Sequence, residues 1–291
     1  MKLNLFVGVD MSIYKNKKVL LATMHKKEIA VRPPFANIVG CEVVVAEDFN
    51  TDSFGTFSGE ISRQETAYET LKNKALFAAE KYGFDYVISS EGSFGPHPSN
   101  PFVNADMEML LFYDKTKDLF ISDYEISVDT NHAELFVTSE SFNSSQYVKW
   151  LNQVKFPSHG LIVKNESMII KKGVSDLVDL NLVIEDSLKQ YKTIKLETDM
   201  RAMMNPSRMN VIEQLSYKLA KRVAFECIKC STPGFGNIIK SGNLFCELCF
   251  NETNVPKFLD KVCLKCDYFE RQEIDPKINF ANPRYCDYCN P

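Results

Sequence analysis

Apolar and polar positions fall in short blocks along this chain, and the period of the blocks changes at identifiable points. Residues 1–17 alternate weakly, as a strand running into a Lys-rich turn. Val19-Leu20-Leu21-Ala22-Thr23 is an unbroken apolar run, the pattern of a buried strand. A short helix is predicted to start in the polar stretch Met24 to Glu28, and Pro33-Pro34 should end or split it. Cys41 to Ala46 is a second β-rich run, followed by a polar, glycine-marked loop over 50–60. From Ser62 to Tyr82 the spacing is helical. Tyr68, Leu71, Ala75 and Ala79 share a face, Ser62 with Glu65 forms a capping box, and Gly83 stands just past the end. Tyr86-Val87-Ile88 then reads as a strand leading into a glycine-bearing turn, Ser89 to Pro98.

Apolar runs at 107–113, 119–127 and 133–138, joined by short turn sequences, predict an antiparallel meander. A helix over 143–155, strands at 160–163 and 167–170, a helix over 175–190 and a strand at 194–196 follow. The last helix begins at Asn205-Pro206, a cap followed by proline at the first helical position, and carries Ile212, Leu215 and Leu219 as its core stripe. Strand–helix–strand order of this kind predicts an α/β fold: a mixed sheet with flanking helices up to residue 224, and a small zinc-ribbon-like module over 225–291.

Composition changes this picture little. Apolar residues make up 45% of the 291 positions and charged residues 25%, so a sizeable core can form. The net charge of −4 is too mild to point to nucleic acid or to an acidic substrate. Met1 to Val9 holds one lysine and a short apolar run that stops at Asp10, without the features of a secretion signal, and no stretch is long enough to span a membrane. A cytoplasmic protein is expected.

The cysteines are the sharpest chemical signal. Eight of the nine form four Cys-x-x-Cys pairs: Cys227/Cys230, Cys246/Cys249, Cys263/Cys266 and Cys286/Cys289. Each pair places two thiolates on one tight turn, and two turns complete a tetrahedral zinc site. Two structural zinc ions are therefore expected, with an iron–sulfur cluster as the competitor for thiolate-only sites. Thirteen to nineteen residues separate successive pairs, which permits either consecutive pairing or a cross-braced arrangement of first with third and second with fourth. The consecutive arrangement is favoured. From Cys227 to Pro291 eight Lys/Arg balance eight Asp/Glu. Thiolate-rich sites would add negative charge, so the module is a poor phosphate binder and a better structural or protein-docking element.

In the main domain, the turn after Ile88 places Glu91 at a strand end beside Ser90 and Gly92, where glycine allows close approach of a ligand. The strings Gly55-Thr56-Phe57-Ser58-Gly59-Glu60 and Ser90-Glu91-Gly92-Ser93-Phe94-Gly95-Pro96-His97-Pro98, with the Cys-x-x-Cys tail, resemble an uncharacterised bacterial protein family over nearly the whole chain. That resemblance implies no activity. The order of motifs in the front two-thirds is also similar to the house-cleaning pyrophosphatases that hydrolyse inosine and xanthosine triphosphates. The matching points are Thr23-Met24-His25-Lys26-Lys27, then Glu69 with Lys74-Ala75, then Glu91-Gly92, and finally the Thr198-to-Arg208 segment before the last helix. The histidine of the first turn and the absence of Asn-Ala after Glu69 depart from that family's pattern.

This second resemblance implies a Mg²⁺-dependent nucleotide phosphohydrolase. Glu69 and Glu91 would hold the metal, supplemented by Glu60 or Asp52, and Lys26, Lys27 and Lys74 would supply positive charge. Ser90 and Gly92 would shape the pocket, Arg201 or Arg208 would meet base or phosphate, and the start of the last helix would add backbone donors. The alternative is a non-enzymatic small-molecule-binding or scaffold protein whose zinc module docks a protein partner.

Overall fold

The computed structural model describes residues 12–46, 66–166 and 168–291. It divides into two compact units, Lys15–Ala220, and Lys221–Pro291 with the segment that ends at Tyr14. The division falls inside the last long helix, slightly before the 224/225 boundary expected from sequence.

The first unit holds two sheets. One is five-stranded, in the order β2-β1-β3-β4-β5, from β1 (Lys18–Ala22), β2 (Glu42–Val45), β3 (Tyr86–His97), β4 (Asn100–Asp114) and β5 (Leu119–Ser127). β2, β1 and β3 run parallel, whereas β4 and β5 pair antiparallel, so the sheet is mixed. Helix α1 (Glu28–Pro34) follows β1, and α2 (Ala67–Tyr82) precedes β3. Leu71, Ala75, Ala78 and Ala79 of α2 pack on Leu20, Val87, Leu111 and Tyr113, the small alanines letting the helix lie close to the sheet. Phe112 points to the other face, where its ring stacks on Phe35 with centroids 6.3 Å apart. Strand alternation thus gives the two crossovers a face each.

The second sheet is antiparallel, in the order β6-β9-β7-β8, from β6 (Glu134–Val137), β7 (Leu161–Asn165), β8 (Met168–Val174) and β9 (Ile194–Thr198). Its core is closed by Tyr147, Trp150 and Leu151 of α3 (Ser145–Gln153) and by Leu180 and Ile184 of α4 (Leu177–Gln190). Helix α5 (Pro206–Ala224) buries Val211, Ile212, Leu215 and Leu219, and its Lys218 reaches Asp123 of β5 at 2.8 Å. The second unit has a further mixed sheet, in the order β12-β11-β10-β13, from β10 (Asn237–Cys246), β11 (Glu252–Val262), β12 (Phe269–Glu273) and β13 (Phe280–Ala281). The chain is a mixed α/β protein, as its hydrophobic pattern predicts. No helix among the described residues is long and apolar enough to cross a membrane.

Pro33-Pro34 split the first helical segment as expected: α1 ends at Pro34, and the chain widens into a π-helical turn, Phe35–Val39, that ends at left-handed Gly40. Three local expectations are corrected. Helix α2 begins at Ala67 on a Thr66 cap whose hydroxyl accepts the Glu69 N–H at 3.2 Å; Ser62 and Glu65 lie outside the described residues. The stretch from Ser89 to His97 is strand rather than turn. Every residue from Tyr86 to Pro96 pairs with β4, and the chain reverses only at Pro98-Ser99, where His97 Nδ1 accepts the Ser99 N–H. The run expected as a three-strand meander also divides, since β6 leaves β4 and β5 for the second sheet.

Candidate functional site

The register of the first sheet creates the site. β1 stops at Ala22 opposite Ser89, while β3 continues, leaving its next residues without a β1 neighbour. In open α/β sheets this edge, outside the carboxyl ends of parallel strands whose crossovers go to opposite faces, is where ligands bind. The gap is filled by the turn that follows β1. His25 and Lys26 adopt left-handed φ values of 67° and 59°, unusual for residues with a Cβ, and this tight turn sets Lys27 at the head of α1 facing β3.

Lys27 is buried and its Nζ donates to Ser90 Oγ at 3.1 Å. Thr23 Oγ1 lies 3.4 Å from the same oxygen. On the α2 face of β3, Glu91 pairs directly with Lys74, and Ser89 Oγ donates to the Leu71 carbonyl at 2.8 Å. Opposite Gly92 on β4 stands Glu108, which takes Arg208 Nε at 2.6 Å and lies 3.6 Å from Lys27 Nζ. Arg208 comes from the first turn of α5, has no exposed surface, donates a second hydrogen bond to the Met200 carbonyl, and stacks its guanidinium 5.0 Å over Phe94. Asp106 is buried two residues before Glu108 on the same face.

These groups move one another's protonation. Burial, opposed by Glu108, brings Lys27 down to about 8. Burial and then the Glu108 charge push Asp106 up to about 8, so it is mostly protonated at neutral pH. Burial also pushes the Glu108 carboxyl up, but the Arg208 guanidinium and Lys27 ammonium outweigh it and hold that group below the usual range. Among the described residues, Lys27, Lys74 and Arg208 are thus gathered around the carboxylates of Glu91 and Glu108. The protonated Asp106 carboxyl donates to the Glu108 carboxylate, which helps hold that group low.

Gly92 is there for proximity. A Cβ at this position would fall 2.6 Å from Arg208 Nη2 and 2.8 Å from Glu108 Cδ. Gly92→Ala is expected to cost about 1–3 kcal/mol by wedging this pair apart, read as a lowered denaturant midpoint. Gly95→Ala, on the same strand with nothing within 4 Å of its Cβ, should change stability by less than about 0.5 kcal/mol.

Of the residues singled out from sequence, Glu91, Lys74, Ser90, Gly92 and Arg208 meet here. Glu69 does not: it is exposed in the first turn of α2. Lys26 is also exposed, and its neighbour Lys27 holds the buried place. Glu60 and Asp52 lie outside the described residues. Arg201 is bound to the buried Asp199, with Nε at 2.9 Å and Nη2 at 2.5 Å from its carboxylate. The head of α5 is not an open anion site, because its donors are taken. Arg208 N donates to Asn205 Oδ1 at 3.0 Å, Ser207 N to His159 Nε2 at 3.3 Å, and Met209 N to the Asn205 carbonyl at 3.0 Å. Asp106 and Glu108 are hidden at the edge of an apolar run; the available signal is two acids spaced i, i+2 beside Met107, Met109, Leu110, Leu111 and Phe112. A separate groove beside β2, lined by Arg32, Cys41 and Val43, shares none of these residues. Cys41 is core-like, its thiol pushed up to about 12 by burial.

The second unit carries two four-cysteine groups: Cys227, Cys230, Cys263 and Cys266, and Cys246, Cys249, Cys286 and Cys289. The pairing is cross-braced, not consecutive. The cause is the β10–β11 hairpin. Its register, Asn237 opposite Val262, places the first pair and the third pair at one end. The second pair sits at the turn end, and β13, parallel to β10 at Cys246, delivers the fourth. Sulfur–sulfur separations are 3.7 Å for Cys227/Cys266, 3.6 Å for Cys230/Cys263, 3.9 Å for Cys246/Cys289 and 3.5 Å for Cys249/Cys286. A tetrahedron with metal–sulfur bonds of about 2.3 Å has edges of about 3.8 Å, so the donor set fits a zinc-sized ion. Backbone N–H groups of Lys265 and Cys266 point at Cys263 Sγ, both at 3.4 Å, and that of Leu248 at Cys246 Sγ, also 3.4 Å. The Thr232 hydroxyl, 3.2 Å from Cys230 Sγ, helps bring that thiol down to about 6, in the sense that favours the ligating thiolate. Four sulfurs would close the coordination shell of a bound ion, the donor set of a structural site.

No curated protein matches the chain. One family profile does, over residues 74–291, which takes in β3, β4, α5 and all eight paired cysteines. The chain belongs to that family, described as a domain of unknown function (DUF6671).

Proposed function

We propose that the Lys15–Ala220 unit binds a phosphorylated small molecule, a nucleotide being the class implied by its motif order, at the edge where β1 ends and β3 continues. The observation that carries this reading is the convergence of three buried basic side chains, Lys27, Lys74 and Arg208, on this strand edge, beside a neutralised Asp106. Like charges gathered in a buried place repel one another, and an anionic ligand would stabilise them. Mg²⁺-dependent hydrolysis is the longer reach of this reading. It gains less support, since Glu91 is taken by Lys74 and Glu69 stands apart from the cluster. The cysteine sites are structural in this reading.

Calorimetric titration of the metal-loaded chain with a panel of nucleotides and sugar phosphates tests it. At least one compound should bind, and Lys27→Met should weaken it by about tenfold or more, equivalent to about 1.4 kcal/mol. A folded wild-type chain that binds none of the panel would end the proposal.

A further inference from the structure

The two buried lysines of the cluster are used differently. Lys74 sits directly on the Glu91 carboxylate. Lys27 instead lies closer to a neutral hydroxyl, Ser90 Oγ at 3.1 Å, than to Glu108 Oε2 at 3.6 Å, while Arg208 holds the other oxygen of that carboxylate, Oε1, at 2.6 Å. An ion pair alone does not require this placement. A lysine held on a serine does have a chemical use: a hydroxyl becomes a nucleophile when an adjacent base takes its proton. Lysine serves as that base once burial and neighbouring cations make its neutral form accessible near working pH.

Lys27 meets these conditions. Burial is the main cause of its fall to about 8, the Arg208 and Lys74 charges add to it, and Glu108 and Glu91 oppose it. The partners come from separate elements, Lys27 from the head of α1 and Ser90 from β3, at the strand edge where ligands of open α/β sheets bind. Thr23 Oγ1, 3.4 Å from Ser90 Oγ, gives the hydroxyl a second polar neighbour that helps orient it.

We propose that Ser90 is a nucleophile and Lys27 its general base, in acyl transfer from an ester or amide to water. Neutral Lys27 Nζ takes the Ser90 Oγ proton as Oγ attacks the carbonyl carbon. The bond to the leaving alcohol or amine then breaks, and that group receives the proton from the Lys27 ammonium, leaving acyl-Ser90. Water, deprotonated by Lys27, attacks the acyl carbon, releases the carboxylic acid and restores Ser90. No metal or external oxidant enters the balance. The dyad stands apart from the phosphate-binding reading and needs only the geometry of Lys27 and Ser90.

An alkyl fluorophosphonate probe tests it on the intact chain. The Oγ–P bond forms, the P–F bond breaks, fluoride leaves, and the proton passes to Lys27. Intact-mass spectrometry should show one adduct per chain, and peptide mapping should place it on Ser90. Ser90→Ala should abolish it. Lys27→Arg, which keeps charge and donors but cannot act as a base, should slow labelling by about 100-fold or more while circular dichroism stays native. The rate should rise with pH to a plateau with its midpoint near 8, where the Lys27 amine loses its proton. No adduct on the folded wild-type chain, an adduct on another residue such as Ser207, or a Lys27→Arg variant labelled at the wild-type rate would each overturn the dyad. Phosphate-compound binding retained by Ser90→Ala separates the two proposals: labelling can fail without touching that reading, and binding can fail without touching this one.

Discussion

Stripping both metal ions is expected to unfold the Lys221–Pro291 unit outright. Among the described residues its buried apolar cluster is small, built on Cys227, Phe235 and Cys263 with Cys266 and Tyr268 against them, and three of these five belong to a four-cysteine group. A core of this size supplies no more than about 3–5 kcal/mol. A structural zinc site contributes about 10–16 kcal/mol of binding free energy near neutral pH, all of it coupled to folding. A strong chelator should therefore collapse the dispersed amide signals of this unit in a proton–nitrogen NMR spectrum. Elemental analysis of the untreated chain should find two zinc ions, one for each four-cysteine group. The cross-brace makes a sharper demand. Cys230→Ala with Cys263→Ala removes two ligands from one group and none from the other, so the stoichiometry should fall from two to one. Under consecutive pairing the same double variant would damage both sites. Loss of both ions would therefore contradict the hairpin-directed arrangement.

The pairing shows where sequence runs out. Spacings of thirteen to nineteen residues satisfy both arrangements, and only the length and register of the β10–β11 hairpin separate them. Elements with a strong local signal were legible: the apolar run of β1, the alanine-rich face of α2, and the Asn205-Pro206 start of α5. The Ser89-to-His97 stretch was not, because its serines and glycines are turn residues by composition. Their reason is tertiary. Gly92 makes room for an arginine that arrives from α5 and a glutamate from β4, and nothing within a few residues of Gly92 announces either. The same holds for the site. Glu91, Lys74 and Arg208 were visible as charges beside ordered elements, whereas Asp106 and Glu108 were masked by the apolar run they adjoin. The partner that gives Glu108 its meaning, Arg208, lies one hundred residues further along. Glu69 fails for the opposite reason: its helical spacing to Lys74 is right, but the first turn of α2 faces solvent.

Arg208→Met is expected to destabilise the Lys15–Ala220 unit by about 3–5 kcal/mol, the cost of leaving a fully buried carboxylate without its close partner. The loss is a large part of the about 5–15 kcal/mol available to a domain, so the variant should melt well below the wild-type chain. Lys218→Ala is the contrast. It removes an ion pair to Asp123 whose lysine is 47% exposed, where water screens the charges, and should cost no more than about 1 kcal/mol. Combining Arg208→Met with Glu108→Leu should recover much of the loss, because no orphan carboxylate remains to be buried. The double variant also changes the pH response. Glu108 is the larger of the two opposing charges on Lys27, so removing both lowers that amine below about 8 in the folded state, while the unfolded chain keeps the ordinary value of 10.5. Between those limits the unfolded chain binds more protons than the folded one, so stability rises with pH. Urea melts of the double variant from neutral to alkaline pH should show that rise, starting at lower pH than in the wild-type chain. A double variant as unstable as Arg208→Met alone would mean that Arg208 holds α5 through Met200 and Phe94 rather than through charge.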